Sequence, residues 1–142
     1  MTGKPRPPAL SHVGVAVRDL DSAIRRFVLL LGAEPEIIKE VPEQRVRVAI
    51  FAHQEAGRIE LLEATSDDSP IARFIARRGE GLHHVCIVVD NLDRKLSELR
   101  AAGVPLVDET PRIGAYGCRI AFVHPTGAGG VLLELEERRR DG

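Results

Sequence analysis

At 142 residues and 44% hydrophobic content, the chain has the size of one compact unit and enough apolar residues to build a core, which excludes a largely disordered protein. Twenty Lys and Arg against 21 Asp and Glu leave a net charge of −1, so no general field attracts a polyanion and nucleic acid is excluded as an expected partner. No stretch reaches the roughly 18 uncharged apolar residues of a membrane-spanning helix, so no membrane association is expected.

The proline-rich start, Met1 to Pro8, has no apolar segment of the signal-peptide kind and reads as a solvated terminus, as does the charged end from Glu136 to Gly142. Residues 12–17 form a short β-branched run, and Asp19 after it can cap a helix. In that helix Leu20, Ile24, Phe27, Val28 and Leu31 recur at helical spacing, and Gly32 stops it. Strands are expected at 35–40, 45–52 and 57–63. Asp67 to Gly79 then reads as a short linking helix, with a capping Asp or Ser, Pro70 in the first turn and Gly79 past the last. Ile71, Phe74 and Ile75 should pack down while Arg73, Arg77 and Arg78 stay in solvent.

The pattern then starts again. Residues 84–89 form a strand, Asn91 caps a helix that carries Leu92, Leu96 and Leu99 before Gly103, and strands follow at 105–108, 117–123 and 131–136. The second half repeats the first: the segment from Leu10 to Asp21 returns as Leu82 to Asp93, and Arg47 to Phe51 as Arg119 to Val123. The expected organisation is a first module at 9–66, the linking helix at 67–80 and a second module at 81–137, together one compact domain.

The side chains with coordinating chemistry are repeated too. His12 pairs with His84 and Glu60 with Glu134 at nearly the same offset. Alternation puts Val13, Val15 and Val17 on the face toward the helix and His12, Gly14 and Ala16 on the other, where a histidine among small residues can line a cavity. The second half sorts identically: Val85, Ile87 and Val89 oppose His84, Cys86 and Val88, while Glu134 and Glu60 face away from their apolar neighbours. Two imidazoles and two carboxylates suit a divalent first-row metal, and a six-coordinate ion would keep two positions open for a chelating substrate. His53, His83 and His124 have no repeat partner and are read as non-ligands. Cys86 and Cys118 match neither a disulfide framework nor a metal motif and read as plain core residues of a cytoplasmic protein.

Several stretches carry a specific resemblance: Leu10 to Val17, Val41-Pro42-Glu43-Gln44, Ile59 to Leu62, Asp68 to Ala72, Gly81 to His84, Pro111 to Ala115, and Phe122 to Pro125 leading to Gly129 through Leu135. On these the chain resembles the vicinal oxygen chelate superfamily and, within it, the methylmalonyl-CoA epimerases. The resemblance implies an α+β fold of two tandem βαβββ modules forming a cup-shaped, eight-stranded mixed sheet around a metal site. It also implies His12, Glu60, His84 and Glu134 as metal ligands and Glu43 and Glu134 as the catalytic acid/base pair. The cofactor implied is a divalent metal ion, Co2+ first, with Mn2+, Ni2+, Zn2+ or Mg2+ compatible with the same donors. The substrate implied is an acyl-CoA, (2R)- and (2S)-methylmalonyl-CoA, interconverted through an enolate, and the assembly implied is a homodimer. A glyoxalase I-type lactoylglutathione lyase would use the same four ligand types but leaves Pro42-Glu43-Gln44 without a role. A metal-free small-molecule-binding protein of the same fold has no use for four ligands. Relatives place glycine after Pro-Glu-Gln where this chain has Arg45, and Tyr116 and Cys118 also depart from the expected Gly-Ala-x-Gly segment.

Overall fold

The computed structural model describes residues 8–53 and 57–139; the termini read above as solvated therefore lie largely outside the described residues. These fall into two units, a central one from His12 to His84 and a flanking one formed by Val85 onward together with the residues before His12.

Strand β1 (Ala9–Ala16) enters the central unit at His12, and α1 (Leu20–Leu31) follows. Asp19 caps α1 as its chemistry requires, accepting from the Ser22 N–H at 3.2 Å, and Gly32 closes it in the left-handed conformation with its N–H on Val28 O. Next come β2 (Ile37–Val41), a 3-10 turn at Pro42–Gln44, β3 (Val46–His53), β4 (Gly57–Ala64), α2 (Pro70–Arg78) and the start of β5 (Gly81–Val89). The strand order here is β2-β3-β4-β1-β5, with β3 antiparallel to both neighbours and β4 parallel to β1. Ser69, fully buried, caps α2 by accepting from the Ile71 N–H, and Pro70 occupies the first turn.

The flanking unit continues β5 into α3 (Leu92–Ala101), β6 (Arg112–Ile113), β7 (Arg119–Val123), a 3-10 turn at Pro125–Gly127 and β8 (Leu132–Glu137), with strand order β5-β8-β7-β6. Among the described residues, eight strands and three helices, with parallel and antiparallel pairs, give the α+β class expected. Among the described residues no helix is long and apolar enough to cross a membrane.

The duplication extends into both cores. Val17, Leu20, Ala49 and Leu61 pack together in the central unit, and Val89, Leu92, Ala121 and Leu135 take the matching places in the flanking one. Burying each such leucine contributes about 1.5–3 kcal/mol. The starts of α1 and α3 are each held by one glutamate that also engages an arginine. Glu63 accepts from Leu20 N at 3.0 Å and from Arg47 Nη1 at 3.2 Å, and Glu137 accepts from Leu92 N at 3.0 Å and from Arg119 Nη1 at 3.1 Å. Arg47 reaches on to Asp21 and Arg119 to Asp93, both acids of a first helical turn, where negative charge is favoured.

One element differs from expectation. The strand predicted at 105–108 is only an isolated bridge between Leu106 and Val123, and the short strand lies later, at Arg112–Ile113. Pro105 has no N–H to donate, and the Val107 and Asp108 N–H groups both converge on Phe122 O, at 2.9 and 3.2 Å. The Asp108 carboxylate takes the Phe122 N–H at 2.8 Å, so a side chain does there what a ladder partner would have done.

Candidate metal centre

The parallel register of β1 against β4 sets Gly14 opposite Glu60 and His12 opposite Arg58, so His12, Gly14, Ala16 and Glu60 share one face of the central unit. Val15 and Val17 on the other face pack against α1, as alternation requires. The histidine face is nevertheless the drier one: Ala16 is fully buried and His12 is 3% exposed, whereas Val13 and Val15 are half-buried.

Three of the four ligands predicted from sequence meet in this unit. His12 Nε2 lies 3.0 Å from His84 Nε2, with the rings perpendicular, and His12 Nδ1 lies 3.5 Å from Glu60 Oε2. All three side chains are buried. Facing imidazole nitrogens need a proton or a cation between them, because two lone pairs repel. Two nitrogens bound at right angles to one ion, each at about 2.1 Å, stand about 3.0 Å apart, so the separation found fits adjacent ligands of a divalent metal.

Gly14 makes room for this pair. A Cβ there would stand 2.6 Å from His84 Nδ1 and 2.9 Å from Nε2, so the imidazole rests against bare backbone. Behind His84 stands His83, whose Nδ1 is 3.0 Å from His84 Nδ1. The His83 ring in turn meets the Phe74 ring of α2 edge-on, with centroids 5.0 Å apart. Sequence reading set His83 aside for lack of a repeat partner; the signal available was its adjacency to a ligand.

Glu43 sits exposed on the 3-10 turn between β2 and β3. Arg45 ends that turn at φ 55, ψ 49, the left-handed region that glycine occupies without cost. The glycine expected here from the resemblance would adopt that conformation without strain. The turn is tied down on both sides: Thr65 N donates to Arg45 O at 2.9 Å, and the Arg45 guanidinium reaches the Asp68 carboxylate at 3.3 Å. The Ser66 hydroxyl and then Arg45 hold Asp68 below its ordinary carboxylate range.

Glu134 belongs to the flanking unit, half-buried on β8 and opposite Phe122 of β7. Glu136 shares its face, accepting from Ser11 Oγ at 3.1 Å and from the Cys86 thiol at 3.6 Å. Burial first, and then the charges of Glu134 and Glu136, push the Cys86 thiol far above its usual range. Cys86 is thus a core residue, as read, and also a neutral neighbour of two acids. His124 caps the turn at Pro125, its Nδ1 accepting from Thr126 N at 3.2 Å.

Residues 11–122 match the family described as the glyoxalase/bleomycin resistance protein/dioxygenase superfamily. The mitochondrial methylmalonyl-CoA epimerase of Bos taurus is 40% identical over 129 residues, which is 90% of this chain and 73% of that protein. Among solved structures, the methylmalonyl-CoA epimerase of Mycobacterium tuberculosis superposes with a TM-score of 0.82 at 39% identity, covering 93% of this chain and 89% of that one. A variant of the Streptomyces coelicolor methylmalonyl-CoA epimerase in complex with 2-nitronate-propionyl-CoA superposes at 0.81 and 32% identity, covering 93% and 98%.

Proposed function

The chain belongs to the glyoxalase/bleomycin resistance protein/dioxygenase superfamily and, within it, to the methylmalonyl-CoA epimerases; on that premise we propose that it interconverts (2R)- and (2S)-methylmalonyl-CoA with the help of a divalent metal ion. The observation that carries the metal dependence is the meeting of His12, His84 and Glu60 inside one unit, with the two Nε2 atoms 3.0 Å apart. Glu134 joins the set through its repeat relation to Glu60. The acyl-CoA substrate is supported by the relatives, one of which is in complex with 2-nitronate-propionyl-CoA.

The reaction breaks the C–H bond at the α-carbon between a carboxylate and a thioester, and the electron pair moves onto the thioester oxygen as an enolate. A divalent ion held by the ligand set predicted from sequence would supply positive charge to that developing oxyanion. Glu43 takes the proton from one face, and Glu134 delivers one to the opposite face; reversal of these roles serves the other epimer. Glu43 suits its part because it stands on a turn outside the buried imidazole face and is held there by the Arg45 backbone and side chain. The burial of His12, Glu60 and His84 keeps these donors out of bulk water, which strengthens their field.

The test is deuterium incorporation at the α-carbon of methylmalonyl-CoA in D₂O, followed by NMR, for protein as purified and after chelator treatment. Rapid exchange that chelation abolishes and Co2+ restores is expected. No exchange above blank with metal-loaded protein would overturn the epimerase reading, and exchange indifferent to chelation would overturn the metal dependence.

A further inference from the structure

We propose that His83 is a positioning residue for the metal centre: its Nδ1 accepts the Nδ1–H of His84, fixing that ligand's tautomer and ring orientation. The inference rests on the metal-binding reading above. His84 presents Nε2 to His12 Nε2, which leaves Nδ1 as the nitrogen turned away from the ion. That Nδ1 lies 3.0 Å from His83 Nδ1, with the two rings perpendicular and their centroids 5.2 Å apart. A neutral imidazole carries one N–H, so a ligating Nε2 requires the proton on Nδ1, and a hydrogen-bond acceptor there holds it. Metal-binding histidines generally have such an acceptor, which raises their basicity; here the acceptor is a second imidazole, with its own proton on Nε2.

His83 is itself held. Its ring meets Phe74 edge-on at 5.0 Å and 82°, and the Arg78 guanidinium lies 6.0 Å from the centroid of the Phe74 ring. Phe74 is fixed by α2, whose start is set by the buried Ser69 cap and by buried Ile71. The helix that links the repeats thereby reaches the centre through a chain of ring contacts, Phe74 to His83 to His84. The repeat partner of His83 is Ser11, which turns its hydroxyl to Glu136, whereas the Nδ1 of His12 faces Glu60 Oε2 at 3.5 Å.

The experiment has two readouts, both independent of turnover. Long-range ¹⁵N–¹H spectra of the Zn2+-loaded parent protein should show His84 with its proton on Nδ1 and His83 with its proton on Nε2; His84 protonated on Nε2 would overturn the proposal without any variant. Metal affinity measured by chelator competition at fixed pH should fall about 10–100-fold in His83→Ala, with one ion per chain retained, and should recover in part in His83→Asn, whose amide oxygen can accept. Parent-like affinity in a folded His83→Ala protein would overturn the role of His83 and leave the metal reading standing. A parent protein that binds no Zn2+ would overturn the metal reading and this inference with it. Should His83→Ala fail to fold, the parent tautomer and His83→Asn still decide the matter.

Discussion

His12 Nε2 and His84 Nε2 face each other across 3.0 Å although 72 residues separate them in the chain. That offset is the repeat length, so the contact joins equivalent atoms of equivalent residues. Duplication turns one weak donor into a pair, and a pair at this spacing is suited to a cation.

Removal of either imidazole should therefore be more damaging than removal of an outer partner. His12→Ala and His84→Ala should each lose metal on gel filtration and weaken binding by more than about 100-fold, the upper end seen when only an outer-shell group is lost. Metal content by plasma emission spectrometry after desalting checks this. Near-stoichiometric metal in either variant would contradict the assignment of ligands.

Gly14→Ala tests whether the His84 ring needs bare backbone. The added methyl would stand 2.6 Å from Nδ1 and 2.9 Å from Nε2, and both His84 and Gly14 are buried. Such overpacking costs about 1–3 kcal/mol. Urea unfolding of the metal-free proteins should show the loss, and metal affinity should fall as well because the imidazole is displaced. Alanine tolerated without change in either would mean that the two strands separate easily at this point.

Glu43→Gln should leave folding and metal stoichiometry at parent values, since the side chain is exposed and lies outside the imidazole cluster. Its kcat should fall about 10²–10⁴-fold with little change in KM, the signature of a lost general base. Turnover rates from the D₂O exchange assay give both numbers. A rise in KM at constant kcat would instead assign Glu43 to substrate binding.

Arg45 occupies a conformation that costs an ordinary L-residue about 1–2 kcal/mol. Replacement by glycine relieves that strain and removes an exposed ion pair to the Asp68 carboxylate and an exposed hydrogen bond to Asp68 O, so the urea midpoint of Arg45→Gly should equal or exceed that of the parent. Arg45→Val, branched at Cβ, should fall below it by about 1 kcal/mol or more. The order Gly, Arg, Val is the expected outcome, and Val as stable as Arg would contradict the backbone assignment.

Cys86 provides a prediction about pH. Burial and the charges of Glu134 and Glu136 raise its pKa, so the native thiol stays protonated where an unfolded one ionises, at about 8.5. Between these two pKa values the native state binds the extra proton; stability from this group is thus intact below about pH 8 and declines as pH rises further. Cys86→Ser should flatten that decline in urea unfolding measured between about pH 8 and 10. A disulfide-exchange titration at pH 8 should find Cys118, half-buried, reacting in the native state and Cys86 only after unfolding.

Much of the architecture was legible because it depends on local chemistry and on period. Asp19, Ser69 and Asn91 are capping residues and do cap; Gly32 stops α1; and the alternation along β1 and β8 sorts Val15, Val17, Leu133 and Leu135 toward the helices and His12 and Glu134 away from them. The strand expected at 105–108 was lost because alternation ignores Pro105 and the Asp108 carboxylate, which take over the hydrogen bonds that a ladder would use.

By itself, then, the sequence determined the repeat, the elements, their faces and the residue types available for coordination, since each follows from nearest neighbours and from comparing one half with the other. Tertiary structure alone decided which nitrogen of His84 meets His12, that His83 stands behind it, that Gly14 must lack a side chain and that Arg45 adopts a left-handed turn. Those outcomes depend on atoms brought together across strands at distances of about 3 Å, and no pattern of residue types along a chain specifies separations on that scale.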